Sequence, residues 1–464
     1  MSVWKQMTQK AAVQDYLQAD QRFEKTMTAK DLMALGIGAV IGTGIFILPG
    51  TVAATVSGPG VILSFLLAAV VCATAAMCYA EFASALPVAG SAYSYGNIIF
   101  GQFIGWVIGW ALILEYMLAV ATVSVGFSAY FHSFLQGFGV QLPKAISGAW
   151  NPSQHTYINV VAILVVLVIS LMLSRGMQTS MKINDWMVLI KIAIIVLFVV
   201  VGCFYVKPKN WSPFLPFGTN GMLAGASTVF FAYLGFDAVS SSAPEVKNPQ
   251  RNLPIGIIGT LIVATILYMA VSTVLTGMLP YSKLNLADPV SYALQYFHLN
   301  KIAGIIAIGA MAGMFTMMIT MIYSSSRLVY AIGRDGLLPN FLGQVNNKHL
   351  PNHSLTVVTI IIALMGGLID LNQLAELVNI GTLIAFSFVS LGVIFLRKRD
   401  DIVNDGFKVP LYPVLPIISL LLCIGLMLKL QRITWIASLI WFAIGAAIYF
   451  AYGMHHSHMK NHKI

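Results

Sequence analysis

The sequence has 464 residues, of which 58% are hydrophobic and 9% are charged. Because an average soluble domain carries about 25% charged residues, this composition excludes a water-soluble globular protein and predicts an all-α polytopic membrane protein. The formal net charge of +10 is expected to lie in basic loops beside anionic lipid, so it gives no reason to expect a nucleic acid as partner.

The two ends of the chain are predicted to be short cytoplasmic segments, residues 1–30 and 454–464. The first of them is polar and mixed in charge, without the apolar core of a cleavable signal peptide, so the first membrane span itself must direct insertion. The second contains several histidines, for which a loose tail is a simpler interpretation than a metal site. These are His455, His456, His458 and His462.

All the cysteines lie in apolar runs, which predicts small buried side chains instead of disulfides or metal ligands. They are Cys72, Cys78, Cys203 and Cys423. The sequence also contains no metal-ligand cluster and no nucleophile paired with a base, so neither a cofactor nor enzymatic activity is expected.

Hydropathy, turn signals and charge together predict twelve transmembrane helices. Spans 1 to 6 are residues 31–56, 61–86, 102–134, 155–173, 183–206 and 220–242. Spans 7 to 12 are residues 253–279, 301–332, 354–369, 374–396, 410–428 and 433–453. An even number of spans places both termini on one side, and that side carries 18 of the 26 Lys and Arg residues. By the positive-inside rule, both termini of this multi-pass protein of the cell membrane are cytoplasmic.

Span 1 contains the stretch GIGAVIGTGIFILP, from Gly36 to Pro49. Gly42, Thr43 and Gly44 put two weak helix formers at mid-membrane depth, which predicts an unwound turn. In lipid, each freed N–H or C=O group is costly unless a partner satisfies it. An amino acid supplies both kinds of partner, because its carboxylate binds N–H groups at a helix N-terminus and its ammonium binds carbonyls. Close helix packing on these glycines is the alternative interpretation.

A weak internal repeat favours the binding interpretation. Span 6 matches span 1, since FAYLGFDAV carries Gly235 and a charge in its middle, and the long spans 3 and 8 also correspond. Five spans return the chain with opposite polarity, so residues 31–206 and 220–396 predict a five-plus-five inverted repeat with helices 1 and 6 unwound. Residues 410–453 add two helices. Interrupted helices at equivalent positions of inverted halves indicate a transporter's central site.

Three ionisable residues, Glu115, Lys191 and Asp237, lie deep inside predicted spans. A charge at a helix centre costs at least about 2.5 kcal/mol, so each requires a partner or a water-lined cavity. Lys191 and Asp237 are expected at a similar depth. Burial and a neighbouring carboxylate act on a lysine pKa in opposite directions, which makes Lys191 a candidate proton carrier. A permanent Lys191–Asp237 salt bridge is the structural alternative, and Glu115 is either an interhelical tie or part of the proton route.

Several motifs carry a resemblance to a known family. GAVIGTGIF at 38–46 is similar to the first-span signature of the amino acid, polyamine and organocation transporter superfamily. The stretch FFAYLGFDAVSSSAPEVKNPQRNLPIGI, from Phe230 to Ile257, resembles span 6 and the following loop of its cationic amino acid transporter family, here in a bacterial form. Further matches are EFASALPVAGSAYSY at 81–95, SRLVYAIGRDGLLP at 326–339, IGTLIAF at 380–386 and FKVPLYPVLP at 407–416.

The resemblance implies the five-plus-five fold of the sodium-coupled leucine transporter and a site built on the two unwound helices. It implies that the substrate carboxylate meets the amides of Thr43 and Gly44, beside Gly42. The residues whose carbonyls it assigns to the substrate amino group are Val40, Ile41, Phe231, Ala232 and Leu234. A fifth-span lysine, matched here by Lys191, implies coupling to protons instead of sodium.

The substrate is expected to be a small neutral L-amino acid such as alanine, imported with a proton. Asp237 is expected to be engaged by Lys191, and Met321 of span 8 is expected to narrow the side-chain pocket. The alternatives are a cationic amino acid transporter or exchanger and, from a different class, a membrane amino acid sensor. Some members of the superfamily pair with a single-span accessory subunit, and the sequence neither requires nor excludes such a partner. It likewise leaves open whether membrane lipid, such as sterol, binds in grooves between the helices.

Overall fold

A computed structural model describes residues 3–14, 16, 25–88, 90–137, 139–175, 177–346 and 350–458. His462 and the outer parts of both predicted terminal segments lie outside these residues. In the described part the chain is helical, with isolated β-bridges and no β-strand. The all-α prediction is confirmed.

The α-helices are numbered in chain order. They are α1 Val3–Met7, α2 Ala29–Val40, α3 Thr43–Phe46, α4 Leu48–Val52, α5 Val61–Ala85, α6 Ser91–Ile99, α7 Gln102–Gly137, α8 Val160–Arg175, α9 Met177–Cys203, α10 Gly218–Val229, α11 Pro249–Met278, α12 Pro289–Tyr296, α13 Asn300–Arg334, α14 Asn352–Leu368, α15 Leu371–Leu396, α16 Val414–Met427, α17 Arg432–Ile448 and α18 Met454–His456.

The described residues include eight helical segments that are long and apolar enough to cross a membrane. Three shorter apolar helices, α8, α14 and α16, accompany them. Together they make this a multi-pass membrane protein. Helical segments overlap each of the predicted spans, whereas the number of crossings and their orientation stay predictions.

Span 1 is interrupted near its middle. Helix α2 ends at Val40, and Ile41 is extended, with φ −85° and ψ 93°. Gly42 takes φ −123° and ψ −130°, a combination outside the helical region, before α3 begins at Thr43. After α4, a π-helical turn at Ala53–Ser57 continues the span. The chain therefore leaves the helical path at the glycine pair that the sequence singled out.

Span 6 is interrupted at the corresponding place. A 3-10 turn at Phe230–Tyr233 follows α10, and Leu234 is extended with ψ 146°. Gly235 has φ +104°, a left-handed conformation that glycine adopts without the Cβ penalty of other residues. A 3-10 segment at Asp237–Glu245 then leads out of the span.

The helix packing brings the two interrupted spans together. Helix α11 packs against α5 and α2, while the long helices α7 and α13 pack against each other. Lys191 of α9 reaches α13, and α9 and α13 are in contact. The interrupted segments thus lie among α5, α7, α11 and α13.

The two ends of the described chain meet on one side of the bundle. The Gln6 amide donates to the carbonyl of Met454, and the Tyr16 hydroxyl donates to Asp335 at 2.9 Å. The backbone N–H of His458 donates to the Asp335 carbonyl at 3.1 Å. The termini therefore share a side, as an even number of crossings requires, although which side faces the cytoplasm stays a prediction.

The cysteines carry no disulfide. Cys72, Cys78 and Cys423 are buried as expected, but the expectation is wrong for Cys203, which is exposed. Cys203 is the last residue of α9, where the helix leaves the bundle and its neighbours no longer cover the thiol.

The completely buried carboxylate of Glu81 ties α5 to the loop after α15. Arg397 donates to it through Nε at 2.7 Å and Nη2 at 2.8 Å. Asn404 and the backbone N–H of Val409 donate at 2.9 and 2.7 Å. The hydrogen bonds and charge of Glu81 raise the pKa of Arg397 above its usual value. Bidentate, charge-assisted pairing of this kind fixes the loop against the helix.

Glu81→Ala is expected to lower the free energy of unfolding by about 3 kcal/mol, because it leaves a guanidinium and two further donors without their acceptor. Asp401→Ala is the matched control. It removes the acceptor of the Arg399 pair, whose Asp401 side chain is 57% exposed, and is expected to cost below about 1 kcal/mol. Thermal denaturation of the purified protein in detergent measures both; equal shifts in Tm would contradict the assignment.

Candidate functional site

The interrupted segments of spans 1 and 6 touch each other through their backbones. A Cβ atom on Gly44 would lie 2.6 Å from the Cβ and 2.7 Å from the Cα of Ala232. On the other side of the break, a Cβ on Gly235 would lie 3.1 Å from the carbonyl oxygen of Ala39. Both glycines are therefore required for this close approach. This supports the interpretation that the glycines serve close helix packing, and it is also compatible with binding of an amino acid at the break.

Thr43 begins the helix that follows the first break, and its side chain is buried. Its methyl group packs on α7, since a Cβ on Gly126 would lie 2.3 Å from it. Its hydroxyl oxygen has no hydrogen-bond partner among the described residues. The N–H groups of Thr43 and Gly44 occupy the first helical positions, where N–H groups have no partner inside the helix. This end of the break thus presents donors to a negatively charged group.

The carbonyls on the other side of the break converge on a tyrosine. The hydroxyl of Tyr268, in α11, lies 3.0 Å from the Val40 carbonyl oxygen and 2.5 Å from that of Ala232. Val40 and Ala232 are thus brought together, as the resemblance implies. Phe231 is engaged locally instead, since its carbonyl accepts the Leu234 N–H at 3.3 Å.

Sequence reasoning missed Tyr268. The sequence gives only a weak indication of its role: Tyr268 is the one tyrosine of α11, and the other hydroxyl groups of this helix belong to serine and threonine. The side chain is fully buried. Its ring centroid lies 5.4 Å from that of Phe65 and 5.1 Å from that of Tyr233, so the hydroxyl is held in place by aromatic packing.

Lys191 is fully buried and closes the end of α2. Its Nζ donates to the carbonyls of Gly38 and Ile41 and to the hydroxyl of Thr316, each at 3.1 Å. A cation at the C-terminus of a helix is favourable, because the last carbonyls lack intrahelical partners. The expected salt bridge to Asp237 is wrong: all the donors of Lys191 are taken by oxygens of α2, the break and α13.

Asp237 and Glu115 form a buried carboxyl pair near this region. Asp237 Oδ2 accepts a hydrogen bond from the Tyr116 hydroxyl at 2.6 Å. Its Oδ1 and both carboxyl oxygens of Glu115 have no hydrogen-bond partner in the described part of the chain. Two adjacent buried carboxyls without a cation are not both stable as anions. Such a pair therefore requires a proton, a cation or another hydrogen-bond donor to complete it.

Met321 is fully buried in α13. Met317, one turn earlier on the same face, lies against the break, since a Cβ on Gly42 would be 2.3 Å from its sulfur. Sequence reasoning assigned Met321 to the pocket and missed Met317. Together they give this wall an apolar, polarisable surface.

The residues that the sequence assigned to the site are therefore partly assembled in one place. Those at the breaks are in contact or joined through Tyr268 and Lys191, whereas Glu115 and Asp237 lie to one side without an ion pair to Lys191. Within the described residues, no group of three or more His, Cys, Asp or Glu side chains is arranged to hold a metal ion.

Comparison with known proteins agrees with this arrangement. A family model described as amino acid permease matches residues 28–455. The methylthioribose transporter of Bacillus subtilis (strain 168) is 49% identical over 434 residues, covering 93% of this chain and 94% of the relative. The branched-chain amino acid permease of the same strain is 46% identical over 458 residues, covering 97% and 98%.

A plant relative extends the comparison to a second group. The vacuolar cationic amino acid transporter 4 of Arabidopsis thaliana is 37% identical over 380 residues, which are 80% of this chain and 63% of that longer protein. These proteins are transporters by name, which indicates a transporter and not an enzyme. The chain belongs to the amino acid permease family, in the amino acid, polyamine and organocation transporter superfamily, and is related to the cationic amino acid transporters.

Proposed function

We propose that this permease imports a small neutral L-amino acid together with a proton, through alternating access to a site at the two interrupted helices. One observation carries the proposal: backbone groups from both breaks converge, with donors at Thr43 and carbonyl acceptors at Val40 and Ala232. An amino acid has a matching pair of charged ends. A site made of peptide groups binds those ends and leaves the side chain to be selected by its surroundings.

In the proposed complex, the substrate carboxylate accepts hydrogen bonds from the N–H groups of Thr43 and Gly44, next to Gly42. The unpartnered hydroxyl of Thr43 supports this assignment, because a buried hydroxyl without a partner is unfavourable. The ammonium donates to the carbonyls of Val40 and Ala232. The remaining residues of the proposed substrate site lie at the same two breaks; they are Ile41, Phe231 and Leu234.

Two lines of support favour a neutral side chain. The buried Met317 and Met321 give the α13 wall an apolar surface. Among the relatives, one 46% identical over 97% of the chain is named for branched-chain amino acids. An apolar wall selects against a charged side chain because the charge loses its hydration without gaining a partner. Alanine is the smallest substrate of this class and the probe with which to begin.

Lys191 is the proposed proton carrier. With its proton, Nζ has three N–H groups for its three acceptors, Gly38, Ile41 and Thr316. Without it, a neutral amine has two N–H groups and a lone pair, which can accept only from the Thr316 hydroxyl; that hydroxyl donates to the Gly313 carbonyl at 2.8 Å. Either one of the three ties or the Thr316–Gly313 bond is then lost. Protonation thus strengthens the link between span 1 and α13, and release of the proton weakens it. In this way the charge state of one side chain biases the relative positions of two helices.

The buried carboxyl pair of Glu115 and Asp237 is proposed to take part in the proton route. Its unpartnered oxygens can accept a proton or a hydrogen bond from another donor. The Tyr116 hydroxyl connects Asp237 to the helix that carries Glu115. A pair of interacting carboxyls releases its protons in two steps that belong to the pair and not to either residue.

The same pair favours a second candidate function, the transport of cationic amino acids. Lys191 binds carbonyls of α2 and of the break, together with the Thr316 hydroxyl, and not Asp237, so the carboxyl oxygens of the pair are able to bind a guanidinium or an ammonium. Relatives named cationic amino acid transporters cover 80% of this chain. Uptake of arginine without competition from alanine would favour this candidate over the first.

Lys191→Met is expected to abolish accumulation of alanine driven by an inward proton gradient in sodium-free proteoliposomes, because no proton then binds between span 1 and α13. Substrate binding, measured by thermal stabilisation, is expected to persist. Lys209→Met is the matched control, since Lys209 is exposed in the 3-10 turn Pro208–Trp211, and should accumulate alanine like the wild type. Gradient-driven accumulation by Lys191→Met would remove Lys191 from the coupling mechanism.

Met321→Ser is expected to widen the pocket, and to improve competition by longer or cationic amino acids relative to alanine by about tenfold, or roughly 1.4 kcal/mol. Inhibition of alanine uptake by a series of amino acids measures the change. Met311→Ser, a partly buried methionine of the same helix, controls for the general effect of removing such a side chain. An unchanged order of competitors would contradict the wall assigned to Met321.

A further inference from the structure

The Tyr268 hydroxyl is shared by two carbonyl oxygens from different interrupted helices. Val40 is the last residue of α2, and Ala232 lies in the 3-10 turn of span 6. A tyrosine hydroxyl has one proton, so it donates fully to one of the two carbonyls, and the contact with the other is weaker. The shorter distance, 2.5 Å, identifies Ala232 as the main acceptor.

The position of this hydroxyl is fixed from outside the breaks. Tyr268 is fully buried, and its ring is enclosed by Phe65 of α5 and Tyr233 of span 6. Tyr233 in turn donates to the carbonyl of Phe65 at 3.0 Å. The backbone of α11 lies close to α2, since a Cβ on Gly36 would be 2.2 Å from the hydroxyl of Thr260. The hydroxyl therefore has little freedom to follow either carbonyl alone.

An ammonium has the hydrogens that this cluster lacks. Two carbonyl oxygens and one hydroxyl oxygen are close together. The Gly42 N–H donates to the Val40 carbonyl at 3.1 Å, and the single hydroxyl proton goes mainly to Ala232, so each of the three oxygens keeps a lone pair for one further donor. A group with three N–H donors and a positive charge can donate to all three oxygens, and its charge strengthens each bond. Neutral donors or anions would not complete the set in this way.

Resting on the proposed function, we infer that Tyr268 is a positioning residue for the substrate ammonium. Its hydroxyl holds the Val40 and Ala232 carbonyls together and offers its own oxygen as a third acceptor. Because the hydroxyl belongs to α11, ammonium binding also joins span 7 to the two interrupted spans. Substrates and competitors that lack the ammonium do not receive this contribution.

Tyr268→Phe removes the hydroxyl and keeps the ring. The probes are L-alanine and L-lactate, which differ in carrying an ammonium or a hydroxyl on the same carbon, and both are measured as competitors of labelled alanine in proteoliposomes with the full chain. The wild type should prefer alanine. In Tyr268→Phe the inhibition constant for alanine should rise about tenfold while that for lactate stays within about twofold, so that the preference falls.

Tyr233→Phe is the matched control, because it removes a hydroxyl from the same aromatic cluster that is bonded to Phe65 instead of to the breaks. It should lower Tm without changing the preference for alanine over lactate. An unchanged preference in Tyr268→Phe, or an equal fall in Tyr233→Phe, would overturn the inference, since a purely structural hydroxyl affects both ligands alike.

A variant that does not fold and a failure of the proposed function can each be recognised. If Tyr268→Phe does not fold, the same measurement uses 3-fluorotyrosine at position 268, which keeps the hydroxyl and makes its oxygen a weaker acceptor; a lower preference for alanine supports the inference and an unchanged one overturns it. Failure of the proposed function is recognised independently, as wild-type protein that no neutral amino acid stabilises or inhibits, and it would overturn the inference as well.

Discussion

The structure depends on the cost of unpaired peptide groups in a membrane. A backbone N–H or C=O that leaves its helix in hydrocarbon has no water to bind, so an interrupted helix persists only where other groups complete it. Both interruptions lie inside the bundle, against each other. Their close approach at Gly44 and Ala232 leaves no room for a side chain on Gly44.

Two side chains complete the first interruption, and they do so differently. Lys191 supplies a removable charge to the carbonyls of Gly38 and Ile41, so its contribution depends on protonation. Tyr268 places a neutral hydroxyl between the carbonyls of Val40 and Ala232, nearer to Ala232. In the proposed mechanism, a proton and a substrate act on adjacent carbonyls of one short segment. Binding of either then changes the partners left to the other, which is the physical requirement for coupling.

Much of the fold could be predicted because its signals are local. The apolar spans follow from composition, and the break follows from Gly42 and Gly44, which weaken a helix wherever they occur. The partner of Lys191 could not be predicted in the same way. Opposite charge suggested Asp237, but the choice between a carboxylate and carbonyls depends on the rotation of α9 about its axis. Tyr268 and Met317 were missed for that reason, since their roles depend on which face of a helix meets the break.

The central claim is that an amino acid completes the peptide groups of two interrupted helices. A high-resolution experimental structure with bound L-alanine tests it most directly. The account predicts the carboxylate within hydrogen-bond distance of the Thr43 and Gly44 N–H groups, and the ammonium within that distance of the Val40 and Ala232 carbonyls. Alanine bound elsewhere, or a continuous hydrogen-bonded helix from Ile41 to Ile45, would contradict it.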